Sequence, residues 1–172
     1  MKEIVQAFLD IAMLRRGPED LPASSFLLCL TGVAYLMTGA VTVASYSRST
    51  GDFVGQLALD LALMLAFFVV LLVINRKVAR IEQTLTAVLG TGAVLAVVSL
   101  PLTIWLDIQG AQSEAAIFPA VGIYLLVLWS IGINGHILRR SLEIPYVGGV
   151  VLAAGYFILN VAIFARVFPV AA

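Results

Sequence analysis

Residues 54–75 read VGQLALDLALMLAFFVVLLVIN, an apolar run of twenty-two residues interrupted by one charge, Asp60, and followed directly by Arg76, Lys77 and Arg80. At a helical rise of about 1.5 Å per residue, such a run crosses the roughly 30 Å hydrocarbon core of a bilayer with a little tilt. It reads as a membrane span. The remaining chain has the same character: 172 residues, 62% hydrophobic and 12% charged, with a mean hydropathy of +1.07, outside the range of soluble domains. Ten basic residues balance ten acidic ones, so there is no net field to attract a nucleic acid. Cys29 is the only cysteine and lies in an apolar run, which leaves no intrachain disulfide and no zinc cluster.

Working outward from this span, the segment before it from about 25 to 45 is a first span, with Thr31, Thr38 and Thr42 able to bond back to their own helix. After it come a third at about 84–108, a fourth at about 116–137 and a fifth at about 145–167. Pro101 falls inside the third span and predicts a kink, with Ser99 and Thr103 available to the freed backbone. Gly149 and Ala153 form a small face in the fifth, suited to close helix packing. Residues 2–16 place Ile4, Val5, Phe8, Leu9, Ile11 and Ala12 at helical spacing opposite Lys2, Glu3, Gln6 and Asp10, the pattern of a helix lying in the membrane interface. Arg15 and Arg16 would anchor it at the headgroups, and Gly17-Pro18 opens a turn-rich linker. The expected fold is all-α: residues 1–24 form a cytoplasmic amphipathic helix and linker, and residues 25–172 a polytopic transmembrane bundle of five spans.

Orientation follows from charge. With the N-terminus inside, eight of the ten basic residues lie on the cytoplasmic side and only Arg48 and Arg166 outside. The loops are short, so the positive-inside rule predicts N-inside and C-outside. Residues 74–80, INRKVAR, also echo residues 133–139, INGHILR, and the same alignment matches Gly90 with Gly149. A duplicated helical hairpin and a chance likeness of two inward-running helices both account for it.

Asp60 is the foremost candidate for function, because a carboxylate inside a span costs about 2.5–3.5 kcal/mol on insertion scales and seldom faces lipid. Gln56 shares its helix face, Asn160 in the fifth span lies at a similar depth, and Arg166 and Arg48 stand above. The group serves either as a protonatable coupling site or as a bonded residue that fixes helix packing. Asn75, Asn134 and His136 make a second candidate, a polar cluster at the cytoplasmic ends of the second and fourth spans. One histidine beside Arg139 and Arg140 is a poor metal ligand. The chain contains no G-x-S-x-G, H-E-x-x-H or P-loop motif and no paired intramembrane acids, so neither an enzyme nor a cofactor is expected.

A short N-terminal segment containing Gly17-Pro18, followed by five closely spaced helices with the last terminus outside, resembles the Yip family of Rab-interacting membrane proteins and their prokaryotic relatives. Eukaryotic members of that family carry Asp-Leu-Tyr-Gly-Pro before the first span; here Leu14-Arg15-Arg16 precedes the Gly-Pro. The resemblance implies a non-enzymatic integral membrane protein that organises a membrane or assists a partner complex. The alternative is a small transporter or channel, working as an oligomer, with Asp60 as its coupling carboxylate. Its partners would be the lipid bilayer and either a second protein or further copies of the chain. Short loops suit a bacterial inner membrane.

Overall fold

The computed structural model describes residues 2–44, 50–109 and 113–169. The described residues form six helices: α1 (Lys2–Ala12), α2 (Ser25–Ala44), α3 (Thr50–Ile74), α4 (Ile81–Gln109), α5 (Ile117–Leu142) and α6 (Tyr146–Val167). No strand occurs among them. Short 3-10 turns at Pro18–Asp20, Val78–Arg80 and Glu114–Ala116 link the helices. α2 to α6 are long and apolar enough to cross a membrane.

Several helices outrun the apolar windows that predict them. α3 begins at Thr50 rather than Val54, and α5 runs to Leu142 rather than Ile137, taking in Arg139 and Arg140. Helical hydrogen bonding does not stop where lipid does, and arginines in a last turn are favoured by the helix dipole. α4 continues through Pro101, with Ser99 Oγ donating to the Ala96 carbonyl (2.8 Å) and Thr103 Oγ1 to that of Ser99 (3.0 Å).

α4 is the central helix. α2 and α5 lie along it, α6 lies along α5, and α3 bridges α2, α4 and α6 through sparser contacts. α5 and α6 meet backbone to backbone: a Cβ on Gly135 would lie 2.9 Å from the Val150 nitrogen, and one on Gly149 would strike the Gly135 carbonyl oxygen. Only glycine permits that approach. The echo between residues 74–80 and 133–139 does not mark equivalent positions. Asn75 follows the last residue of α3, while Asn134 lies within α5; Gly90 faces Phe8 of α1, while Gly149 faces α5.

The core is concentrated at one end of the bundle, the basic end, where the α3–α4 and α5–α6 turns lie. There every residue from Thr84 to Thr91 is buried, as are Phe68 and Leu72 of α3 and Ile137 and Leu138 of α5. α1 completes this core. Ala7, Phe8, Ile11 and Ala12 face the bundle, while Ile4, Val5, Leu9 and Met13 point away from it. The apolar stripe read as one face is thus divided between protein and surroundings. Trp129 Nε1 donates to the Ala12 carbonyl (3.1 Å), and His136 Nε2 lies 3.0 Å from the Arg16 carbonyl.

Residues 17–24, expected as a linker, pack as structure. Pro18 and Leu21 are buried, Gln83 Nε2 donates to the Leu21 carbonyl (2.8 Å), and Arg140 pairs with Glu19 (3.1 Å). A local window shows the turn residues but not the α4 and α5 surfaces that receive them. Of the two expected headgroup anchors, Arg16 pairs with Asp10 (3.3 Å) and Arg15 is exposed.

Glu143 locks the basic end together. It ends α5 in a left-handed conformation (φ 60°) and accepts from Lys77 Nζ and from Arg80 Nη2 (2.6 Å), while Arg80 Nη1 donates to the Arg140 carbonyl (2.9 Å). Hydrogen bonds from Lys77 and Arg80 hold the Glu143 carboxyl below its usual value. A carboxyl depressed in the folded state stabilises above its unfolded value, and that contribution is lost as pH falls through the folded one. The thermal stability difference between the wild type and Glu143→Gln is therefore expected to be constant at neutral pH and to shrink below the ordinary carboxylate range. A difference that persists unchanged in acid would exclude the ion pairs as its source. Glu143 is exposed and its two partners are half-buried, so the effect is small.

Candidate functional site

Asp60 lies ten residues into α3, about 15 Å along the helix. Residues four apart share a helix face, and the face that carries Asp60 runs Asp52, Gln56, Asp60, Met64, Phe68, Leu72. Met64, Phe68 and Leu72 are buried in the basic-end core, and Asp52, Gln56 and Asp60 line a space between the helices. The same rotation that buries Phe68 turns the Asp60 carboxylate toward the other helices.

Two uncharged side chains hold that carboxylate. Tyr35 Oη, from α2, donates to Oδ2 at 2.5 Å, and Asn160 Nδ2, from α6, donates to Oδ1 at 3.4 Å. Asn160 Nδ2 also lies 3.5 Å from Tyr156 Oη, one turn earlier on α6. The Tyr156 ring packs against Phe67 (4.9 Å between centroids) and Phe68 (6.0 Å), so the site rests directly on the core. Asp60 thus joins α2, α3 and α6, and α3 packs against its neighbours more sparsely than the other long helices do.

This cluster borders a cavity of about 1120 Å³ to which α2 to α6 all contribute. Met64, Val88 and Ile133, all buried, form its floor, and the walls extend to Asp52 on α3 and to Phe164 and Phe168 at the end of α6. Gln56, Thr91, Ser99, Ser130 and Asn134 add polar groups to the walls. The lining among the described residues contains two acids, Asp52 and Asp60, and no Lys, Arg or His. The cavity occupies the end opposite the basic core because α1 fills only the basic half of the bundle.

The other expected site residues are dispersed. Asn75 Nδ2 donates to the Leu71 carbonyl (2.8 Å), Asn134 Nδ2 to that of Ser130 (3.0 Å), and His136 meets Arg16; no hydrogen bond among the described residues joins the three. Asn134 belongs instead to the cavity wall. Arg166 is exposed and makes no bond to Asp60, and Arg48 lies outside the described residues. No group of three His, Cys, Asp or Glu suited to a metal gathers among the described residues. Tyr35 and Tyr156 did not emerge from the sequence. Tyr35 carried a usable signal, since a tyrosine in mid-helix stands apart from the interfacial belts where the residue is usually found.

Comparison with known proteins gives no match to a family model, to a curated protein or to a solved structure. The functional reading therefore rests on the geometry.

Proposed function

We propose that this is a non-enzymatic integral membrane protein, oriented N-inside and C-outside in a bacterial inner membrane, that binds a small ligand in the cavity at Asp60 and transports it. The observation that carries the proposal is the cavity shared by α2 to α6, with a carboxylate on its wall whose partners among the described residues are neutral. A carboxylate maintained at that depth for packing alone would not need a large cavity beside it. The described lining of the cavity comes from α2 to α6 of one chain and the residues just after α6. With the dense end cytoplasmic, the cavity faces outward, and passage to the other side requires the floor at Met64, Val88 and Ile133 to part.

The proposal is tested by placing a cysteine at position 60 in a Cys29→Ser background and applying a membrane-impermeant thiol reagent to intact cells. Labelling that is slowed by a polar blocking reagent added from outside is the expected result. A thiol at position 60 that stays unlabelled until the protein is denatured would overturn the proposal.

The second reading, a Yip-like accessory or membrane-organising protein, is favoured by the outward stripe Ile4, Val5 and Leu9 on α1 with Met13 just after it, which suits insertion into one leaflet or contact with a partner. That role needs no water at Asp60, so the same labelling experiment separates the two readings.

A further inference from the structure

Three features of the cavity limit what it can bind. The first is charge. Both described partners of Asp60, Tyr35 and Asn160, are neutral, so neither of them offsets the negative charge of its ionised form at the cavity wall. An anion placed there would be repelled and would find no cationic side chain among the described lining residues.

The second feature is size. About 1120 Å³ far exceeds a bare inorganic cation, and no group of three His, Cys, Asp or Glu gathers among the described residues to ligate one. The third is the wall itself, which presents aromatic rings: Tyr35 on α2, and Tyr156, Phe157, Phe164 and Phe168 on and after α6. Phe164 and Phe168 stand 5.9 Å apart at 43°, forming one aromatic flank. Ring faces attract large, weakly hydrated cations, and the attraction grows as water is excluded.

Resting on the reading of this cavity as a ligand site, we infer that its ligand is a lipophilic organic cation, a quaternary ammonium or phosphonium-like molecule whose charge is met by Asp60 and whose apolar body lies against the aromatic flank. The carboxylate selects the sign of the charge. The rings select a diffuse cation over a compact hydrated one.

The experiment uses two probes of the same shape and opposite charge, tetraphenylphosphonium and tetraphenylborate, in equilibrium dialysis against the full-length protein in detergent, with empty micelles subtracted. Saturable binding of tetraphenylphosphonium, with tetraphenylborate at the micelle background, is expected. Asp60→Asn should weaken binding by about tenfold or more, and Asp60→Glu, which keeps the charge, should restore most of it. Tyr156→Leu, which removes a ring but not the carboxylate, should weaken binding severalfold; it also provides the test should Asp60→Asn fail to yield a monodisperse protein. Equal binding of the two probes, or a cation affinity unchanged by the variants, overturns the inference. If tetraphenylphosphonium does not bind while position 60 is labelled by the polar thiol reagent, the ligand class is wrong and the cavity remains a site. If position 60 is unlabelled as well, both fall.

Discussion

Gly149→Val forces α5 and α6 apart and is expected to lower stability by about 3 kcal/mol, the upper end of the overpacking range. A Cβ at position 149 meets the Gly135 carbonyl oxygen and lies 3.1 Å from the Arg139 nitrogen, both backbone atoms that cannot rotate away. The reverse contact is equally tight, since a Cβ on Gly135 would lie 2.8 Å from the Val150 Cα. Replacing a helical glycine normally gains up to about 1 kcal/mol in propensity, so the collision must outweigh a favourable backbone term. It does so because α5 and α6 are held by close van der Waals contact, and separating their backbones removes it along the whole pair. Gly155→Val is the control, because nothing lies within 4 Å of a Cβ built there. Unfolding in detergent, followed by helix content against added denaturing detergent, should show Gly149→Val shifted far below Gly155→Val. Coincident curves would exclude the close α5–α6 contact.

The second large effect concerns α1. The Phe8 ring occupies the space beside Gly90 where a Cβ would go, so Gly90→Val should drive α1 from its seat and weaken docking by about 2 kcal/mol. Undocking breaks the bond from Trp129 to the Ala12 carbonyl and withdraws the Arg16 carbonyl from His136. Two readouts follow. In a Trp105→Phe background, the emission of Trp129 should shift, and trypsin should cleave at Arg15 and Arg16 faster than in the wild type. Trimming the ring with Phe8→Ala in the Gly90→Val protein should recover part of the protection, because the added methyls then fill the vacated space. Cleavage at the wild-type rate in Gly90→Val would mean that α1 is not seated on α4.

These two contacts differ in how far they can be read from the chain. Gly149 and Ala153 stand four apart in an apolar run, a local pattern that marks a packing face whatever the partner. Gly90 carries no such mark, because its reason lies eighty-two residues away in Phe8. The same division runs through the site. The depth of Asn160 pointed to Asp60, and the two side chains lie 3.4 Å apart, since depth is a matter of counting residues along each helix. Depth says nothing of which way a helix is rotated, and only rotation brings the Tyr35 hydroxyl to the carboxylate. Asn75, Asn134 and His136 illustrate the converse: similar positions near one end of the bundle, with side chains bonded to separate partners.

The sequence by itself determined the helical class and the five apolar lengths, because bilayer thickness and the helical rise together set how many apolar residues a crossing needs. It also singled out Asp60, because a charge in such a run is costly enough to demand a reason. The tertiary structure alone decided that α1 fills one half of the bundle and leaves the other half hollow, and that Asp60 meets two neutral donors on that hollow's wall. Those outcomes depend on the order in which helices pack around α4 and on the angle each adopts about its own axis. Both are set by contacts between residues far apart in the chain, such as Phe8 with Gly90 and Gly135 with Gly149, which no local window contains.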